Sequence, residues 1–598
     1  MKAAEADDHT GLTLPARVLW LAFALASVGF HLGLVFSGLV PNLVSRPLHM
    51  VLVLPWILIW GRTGAALWSG VALTALGGGA ALWVAVSHDA LGDQYGFLEG
   101  PFQVGVAAVL ILTVLETARR AIGWPLPTIA ALALLYGLFG QHIPGRFGHS
   151  GVPLESYLGT LTIAEGGLWG TLTAVSVGVV SIFVIFGAVL NAGEAGEGFM
   201  NVATAAAGRL KGGAAKVSLV SSALFGSISG SASANVASTG AITMPAMARL
   251  GYPKRIAAAV EAVASSGGQI MPPLMGAGAF VMVELTSTPY TQIIAAAALP
   301  ALLYFAAVWM GIDGYARRFG LRGLDAADRP AGRDIAVTSA FFLVPFTVLM
   351  WGMFGLGVTP QYAASLAIFT GAALLLFGAD LRLDPRRAAR RVERALFTAA
   401  RQVALIGSII LCAALVIGVL GITGLGVKLT SLILSASNGL LWPSLLLTAL
   451  ACLVLGMEVP TTAAYVICVS VAGPALIELG MAPLQAHLFV FWYALLSTIT
   501  PPVCGAVFIA AGMIGENWLR VAGTAMILGL GLYLIPLGMV VSPEILDLAD
   551  APGRAALAAA KIAAGLGLIS WGLVATRGVA LRIGAACLGT AIIFIGIA

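Results

Sequence analysis

Four short stretches of this chain carry residue types able to hold a small ion or an anion in apolar surroundings. Two are rich in glycine and hydroxyls: Gly226-Ser-Ile-Ser-Gly-Ser-Ala-Ser-Ala-Asn235 and Gly456-Met-Glu-Val-Pro-Thr-Thr462. Two end in a proline pair: Ser265-Ser-Gly-Gly-Gln-Ile-Met-Pro-Pro273 and Ser497-Thr-Ile-Thr-Pro-Pro502. Proline lacks an N–H donor and clashes with the preceding turn, so a Pro-Pro pair opens a helix. The freed carbonyls, with Ser, Thr and Gln oxygens, can hold Na⁺. The N-terminal ends of half-helices carry partial positive charge and suit a carboxylate. Such non-helical backbone survives at membrane depth only against protein or a water-filled cavity.

Carboxylates lie close by. Glu261 sits in an apolar helix just before the first break, and Glu458 lies at the tip of the second hydroxyl-rich turn. An ionisable group at membrane depth is a functional candidate by default, so both are candidate coupling carboxylates. Glu261 reads equally well as a structural partner inside a helix bundle, and Glu284 as an interfacial residue. His487 opens the second broken stretch as either an interfacial anchor or a proton carrier, while Phe489, Phe491, Trp492 and Tyr493 read as packing or belt residues. Gly226 and Gly230 alone form a GxxxG, which describes close helix packing, and a single Pro-Pro describes a kink. Their pairing in two matched places argues against both bland readings.

Other chemistry finds no motif. There is no GxxxxGK[ST] loop for ATP, no HExxH and no clustered His/Cys set, so neither a primary pump nor a metalloprotease is supported. No catalytic residue and no organic cofactor is expected. Cys412, Cys452, Cys468, Cys504 and Cys587 all fall in apolar blocks without a CxxC spacing and read as small buried hydrophobes.

The elements that must position these stretches are membrane helices. Of 598 residues, 59% are hydrophobic and 10% charged, and the mean hydropathy is +0.99. A soluble chain carries about a quarter charged residues. Apolar blocks of about 20 residues predict an all-α polytopic membrane protein with about 15 spans. They lie near 17–40, 46–61, 63–86, 102–119, 122–141, 169–193, 255–287, 290–312, 333–354, 358–379, 401–423, 485–514, 518–541, 555–575 and 579–597. Two interrupted segments, 215–249 and 439–478, are read as re-entrant hairpins. The N-terminus, with Glu5, Asp7 and Asp8, lacks the basic start of a cleavable signal, so the first block is expected to remain a span. With that terminus cytoplasmic and each hairpin returning to its own side, only Arg46, Arg146, Lys428, Arg554 and Lys561 of 31 Lys+Arg lie on or near the outside. The net charge of +5 therefore reports topology, not nucleic-acid binding.

The predicted domains are a four-span unit over 1–121, a first repeat over 122–380 with hairpin 215–249, a cytoplasmic amphipathic linker over 381–400, and a second repeat over 401–598 with hairpin 439–478. Gly226 and Pro272 are 46 positions apart, and Gly456 and Pro501 are 45. Matching order and spacing with opposite sidedness describe an inverted repeat. Such paired, interrupted segments point to the midplane site of a secondary transporter.

Four stretches also resemble a known family: Ala257–Glu284 (AAAVEAVASSGGQIMPPLMGAGAFVMVE), GSISGSASANVASTG at 226–240, PTTAAY at 460–465 and AHLFVFWYALLSTITPP at 486–502. They look like the large membrane subunit of TRAP (tripartite ATP-independent periplasmic) transporters, TAXI subgroup, over roughly 122–598. Residues 1–121 would correspond, by span number, to the small subunit fused in front. The resemblance implies an elevator-type permease in the bacterial inner membrane, surrounded by lipid. It implies uptake of a small organic anion, driven by a cation gradient, usually Na⁺, with a periplasmic TAXI-type binding protein delivering the substrate. It also implies one cation site at Ser227, Ser229, Ser231 and Asn235 with Gly267 and Gln269. A second would use Gly456, Thr461 and Thr462 with Thr498 and Thr500. Substrate would sit between tips and breaks, at Gly230, Ser231, Gln269, Pro273, Pro460, Thr461 and Pro502. Where the family usually reads GMG-x-PTT, this chain has Glu458, which alters the cation site, permits proton coupling, or faces the periplasm. A carrier working without a binding protein and a non-transporting membrane scaffold are the competing expectations.

Overall fold

The structure, a computed structural model, describes residues 13–456, 461–575 and 578–595. Its regular elements are helices, and the one β-bridge among the described residues, Phe377 with Leu383, is isolated. Ten helices are long and apolar enough to cross a bilayer, and shorter apolar helices of 10–17 residues accompany them. At ~1.5 Å per residue the shorter ones cannot alone cover ~30 Å of hydrocarbon. The chain is a multi-pass membrane protein.

The N-terminal unit comprises α1 (Leu14–Phe36), α2 (Asn42–Leu58), α3 (Gly64–Val86) and α4 (Gly100–Ile122). Helix α5 (Thr171–Ala192) includes a π-turn over Ser176–Val180. A helix pair follows, α6 (Gly213–Ser229) and α7 (Ala232–Arg249), then a broken helix, α8 (Lys254–Gly267) and α9 (Gly276–Thr286), and the long α10 (Tyr290–Phe319). After α11 (Pro385–Thr423) the arrangement recurs as a pair, α12 (Leu441–Leu455) and α13 (Thr461–Glu478), and a broken helix, α14 (Pro483–Leu496) and α15 (Gly505–Ile514). Helices α16 (Trp518–Leu528) and α17 (Leu530–Val541) come next. Both expected breaks therefore exist and fall at the Pro-Pro pairs, each of which contains a cis peptide bond.

Local chemistry accounts for these ends. Between α6 and α7, Gly230 adopts a φ of +62°, a conformation open to glycine at little cost. Ser231 then caps α7, its hydroxyl accepting from the Ala234 N–H at 3.3 Å. Helix α8 tightens into a 3₁₀ turn over Gly268–Ile270 before the prolines, and Gly276 opens α9.

One boundary differs from expectation. The 381–400 stretch is not a separate amphipathic segment: from Pro385 onward it is the start of the 39-residue helix α11. Asp384 caps that helix through the Arg386 and Arg387 N–H groups, and no glycine or proline interrupts it before Gly407. Its charged face is held by Arg17–Glu393, at 2.5 Å, and by Arg391–Glu194. The helices Leu154–Thr162 and Leu425–Ala436 were not anticipated either.

The N-terminal unit packs on α11 through α1, α2 and α4, and α11 packs on α5. Where α1, α2 and α5 meet, a fully buried polar chain runs from Ser27 O to His31 Nδ1 (2.7 Å), His31 Nε2 to His49 Nδ1 (2.8 Å) and His49 Nε2 to Ser176 Oγ (3.1 Å).

Candidate solute and cation site

The first helix pair lies on the first broken helix so closely that only glycine fits the crossing. A Cβ on Gly226 would stand 2.6 Å from Gly268 Cα, and the reverse holds for Gly268. A second crossing brings Gly230 against Gly276, where a Cβ would meet backbone at 3.0 Å. Asn235, on α7, fastens this contact: its Nδ2 donates to Ser222 O on α6 (2.9 Å) and to Ser265 O on α8 (3.4 Å). One layer away, Glu261 on α8 is fully buried. It accepts from Ser218 (2.7 Å), Ser222 (3.3 Å) and Ser265 (3.3 Å), and also from Thr239 and Thr243.

The second half repeats this geometry in outline. The end of α12 meets the break after α14, where a Cβ on Gly456 would lie 3.0 Å from Ser497 Oγ. The second arm of each pair packs on the far half of the opposite broken helix, α7 on α15 and α13 on α9. The two breaks also touch: Thr498 Oγ1 lies 2.8 Å from Ser266 Oγ. Two interrupted helices, each backed by a helix pair, therefore converge in one place and bring their hydroxyls with them.

Residues 109–552 match the family model of the tripartite ATP-independent periplasmic transporter, DctM component. The chain belongs to that family. It is similar to the isethionate TRAP transporter permease protein DctMQ of Oleidesulfovibrio alaskensis, 25% identical over 447 residues, 70% of this chain and 69% of that protein. A C4-dicarboxylate TRAP transporter large permease protein DctM of Pseudomonas aeruginosa is 26% identical over 343 residues, covering 56% of this chain and 77% of the relative. The corresponding protein of Vibrio cholerae is 24% identical over 437 residues, 70% of this chain and 92% of its own.

Within this TRAP permease the residues expected to bind ions divide by environment. Ser227 Oγ donates to Leu224 O at 2.8 Å, whereas Ser229 Oγ is buried with no hydrogen-bond partner among the described residues. Ser231 is occupied as a helix cap, Gly267 lies against the Tyr304 ring, and Gln269 is buried. Thr498 reaches Ser266, while Thr500 Oγ1 donates to Leu496 O (2.7 Å) or pairs with Tyr533 Oη at 2.6 Å. Thr461 and Thr462 open α13, half-buried. Pro273 O accepts from Tyr290 Oη, and Pro502 is exposed. Glu458 and Pro460 lie outside the described residues.

Other expectations are resolved by burial. Glu284 is exposed, in keeping with an interfacial place. His487 is buried, with Nδ1 2.8 Å from Tyr465 Oη. Four cysteines are buried, but Cys587 is exposed.

Sequence reasoning missed Ser218, Ser222, Thr239, Thr243 and Tyr533. The signal for the first four was present. Ser218/Ser222, Thr239/Thr243 and Glu261/Ser265 are all i, i+4 pairs, which place both members on one helix face. What the sequence lacks is which faces meet.

Proposed function

We propose that this chain is the permease of a cation-coupled uptake system for a small organic anion. The observation that carries the proposal is the contact between the two helix breaks at Ser266 and Thr498, with a helix pair packed on each. In this reading α6–α7 and α12–α13 are re-entrant hairpins of opposite orientation in an inverted repeat. They move with the broken helices as an elevator. Anion specificity follows from the chemistry: half-helix N-termini and Ser/Thr hydroxyls favour a carboxylate or sulfonate over a cation. The relatives' names, isethionate and C4-dicarboxylate permeases, belong to the same chemical class.

Na⁺ is the coupling ion of this proposal. The buried, unpartnered Ser229 Oγ supports one site, in which Ser227, Ser231, Asn235, Gly267 and Gln269 would be the other ligands, since a buried hydroxyl oxygen without a partner is suited to a hard cation. Gly456, Thr461, Thr462, Thr498 and Thr500 form the other. Residues 1–121 act as a fused small subunit, the N-terminus is cytoplasmic, and a TAXI-type periplasmic protein delivers the solute.

Reconstitution tests this. The chain in proteoliposomes, with the binding protein supplied outside, should accumulate isethionate or a C4-dicarboxylate only under an inward Na⁺ gradient. Accumulation without the binding protein overturns the delivery step. Accumulation of neither solute with any cognate binding protein overturns the proposal.

A further inference from the structure

Five hydroxyls surround one buried carboxylate, and we propose that Glu261 is a proton-binding site whose occupancy sets how firmly both arms of the first helix pair grip the broken helix. Ser218 and Ser222 come from α6, Thr239 and Thr243 from α7, and Ser265 from α8 itself. A hydroxyl carries one proton that rotates to suit its neighbours. With Glu261 ionised, all five can point at its two oxygens. With Glu261 protonated, the two threonines have other acceptors in place. Thr239 Oγ1 lies 2.8 Å from Asn235 O, and Thr243 Oγ1 lies 3.0 Å from Thr239 O. Either threonine oxygen then accepts the carboxyl proton. Both protonation states are hydrogen-bonded without moving a heavy atom.

A buried carboxylate that serves only structure is usually held ionised by a basic partner. Glu261 has none among the described residues. On α6, Lys216 is engaged with Asp313, at 2.6 Å, and with the Trp309 ring. Arg249 ends α7, Lys254 and Arg255 open α8, Arg520 is on α16, and α15 carries no ionisable side chain. On α10, Tyr304 donates to Val263 O and Tyr290 to Pro273 O. Its remaining ionisable groups, Asp313, Tyr315, Arg317 and Arg318, lie in its last third. None of these groups is hydrogen-bonded or ion-paired with Glu261.

The mechanical consequence follows from bond strength. Hydrogen bonds to an ionised acceptor are roughly twice as strong as neutral ones. Ionised Glu261 therefore clamps α6 and α7 to α8, and a proton taken from water loosens the clamp until it is returned to water. Its use in transport rests on the proposed symport; the proton site itself does not.

Infrared difference spectroscopy of the reconstituted full-length chain, without solute, reads the site directly. Within the carboxylic acid C=O absorption that grows as pH falls, one component should be lost in Glu261→Gln. In Thr243→Val, which removes one donor to the ionised form, the same component should appear with its midpoint ~1 pH unit or more higher. A wild-type absorption that Glu261→Gln leaves intact overturns the proposal. If Glu261→Gln does not fold, a Thr243→Val absorption with no component shifted from wild type overturns it. That component, found in a protein that transports nothing, leaves the proton site standing and counts against the symport reading.

Discussion

Thr500 shows what a single hydroxyl can decide here. It has one proton and two neighbours, the Leu496 carbonyl and the Tyr533 hydroxyl, so its own oxygen remains available as an acceptor or ligand. Gln269 is buried at the other break. Replacing either group with alanine removes an oxygen worth ~1–3 kcal/mol when buried. Thr500→Ala and Gln269→Ala should therefore raise the Na⁺ concentration for half-maximal uptake about tenfold, with expression kept. Unchanged Na⁺ dependence in both variants would remove these residues from the site. Tyr533→Phe should give a smaller rise, because Thr500 retains the Leu496 carbonyl.

At the scale of elements, the crossing of α6 on the first break has no room for a side chain. Gly226→Ala or Gly268→Ala sets a methyl group 2.6 Å from backbone, which cannot rotate away as a side chain can. Overpacking of this kind costs ~1–3 kcal/mol. The expected outcome is a lower thermal midpoint and loss of uptake in both variants, read by melting of the purified protein. An unchanged midpoint would show that the two elements do not cross there. Gly230 can be read from the sequence as a turn glycine. That Gly226 is needed for a crossing cannot, because Gly268, its partner, lies 42 positions away.

At the scale of the whole molecule, two of the contacts that tie the N-terminal unit to the rest differ in worth. The Arg17–Glu393 pair is part-exposed, so solvent screens it and Arg17→Ala should cost no more than ~1 kcal/mol. The His31–His49–Ser176 chain is fully buried. His49→Leu leaves His31 Nε2 and Ser176 Oγ without that partner, at ~1–3 kcal/mol for each group. The His49 variant should melt well below the Arg17 variant. Equal midpoints would mean that the buried chain contributes nothing to docking.

The sequence by itself determined the class of fold and the place of both helix breaks. Apolar blocks of span length, sparse charge and two Pro-Pro pairs leave few structures open, because backbone in hydrocarbon must satisfy its own hydrogen bonds. The two helix pairs and both breaks were legible for that reason, as was the recurrence of that order in the second half. Periodicity could not show that residues 385–400 continue into a span, since a charged amphipathic stretch looks the same whether it lies apart or extends a helix. Nor could it show which polar faces meet. The hydroxyl cradle of Glu261 joins residues 218 to 265 from three helices, and the histidine chain joins α1 to α2 and α5. Only tertiary packing decided those, because a buried polar group finds its partner through space, and local spacing fixes no more than the face on which it waits.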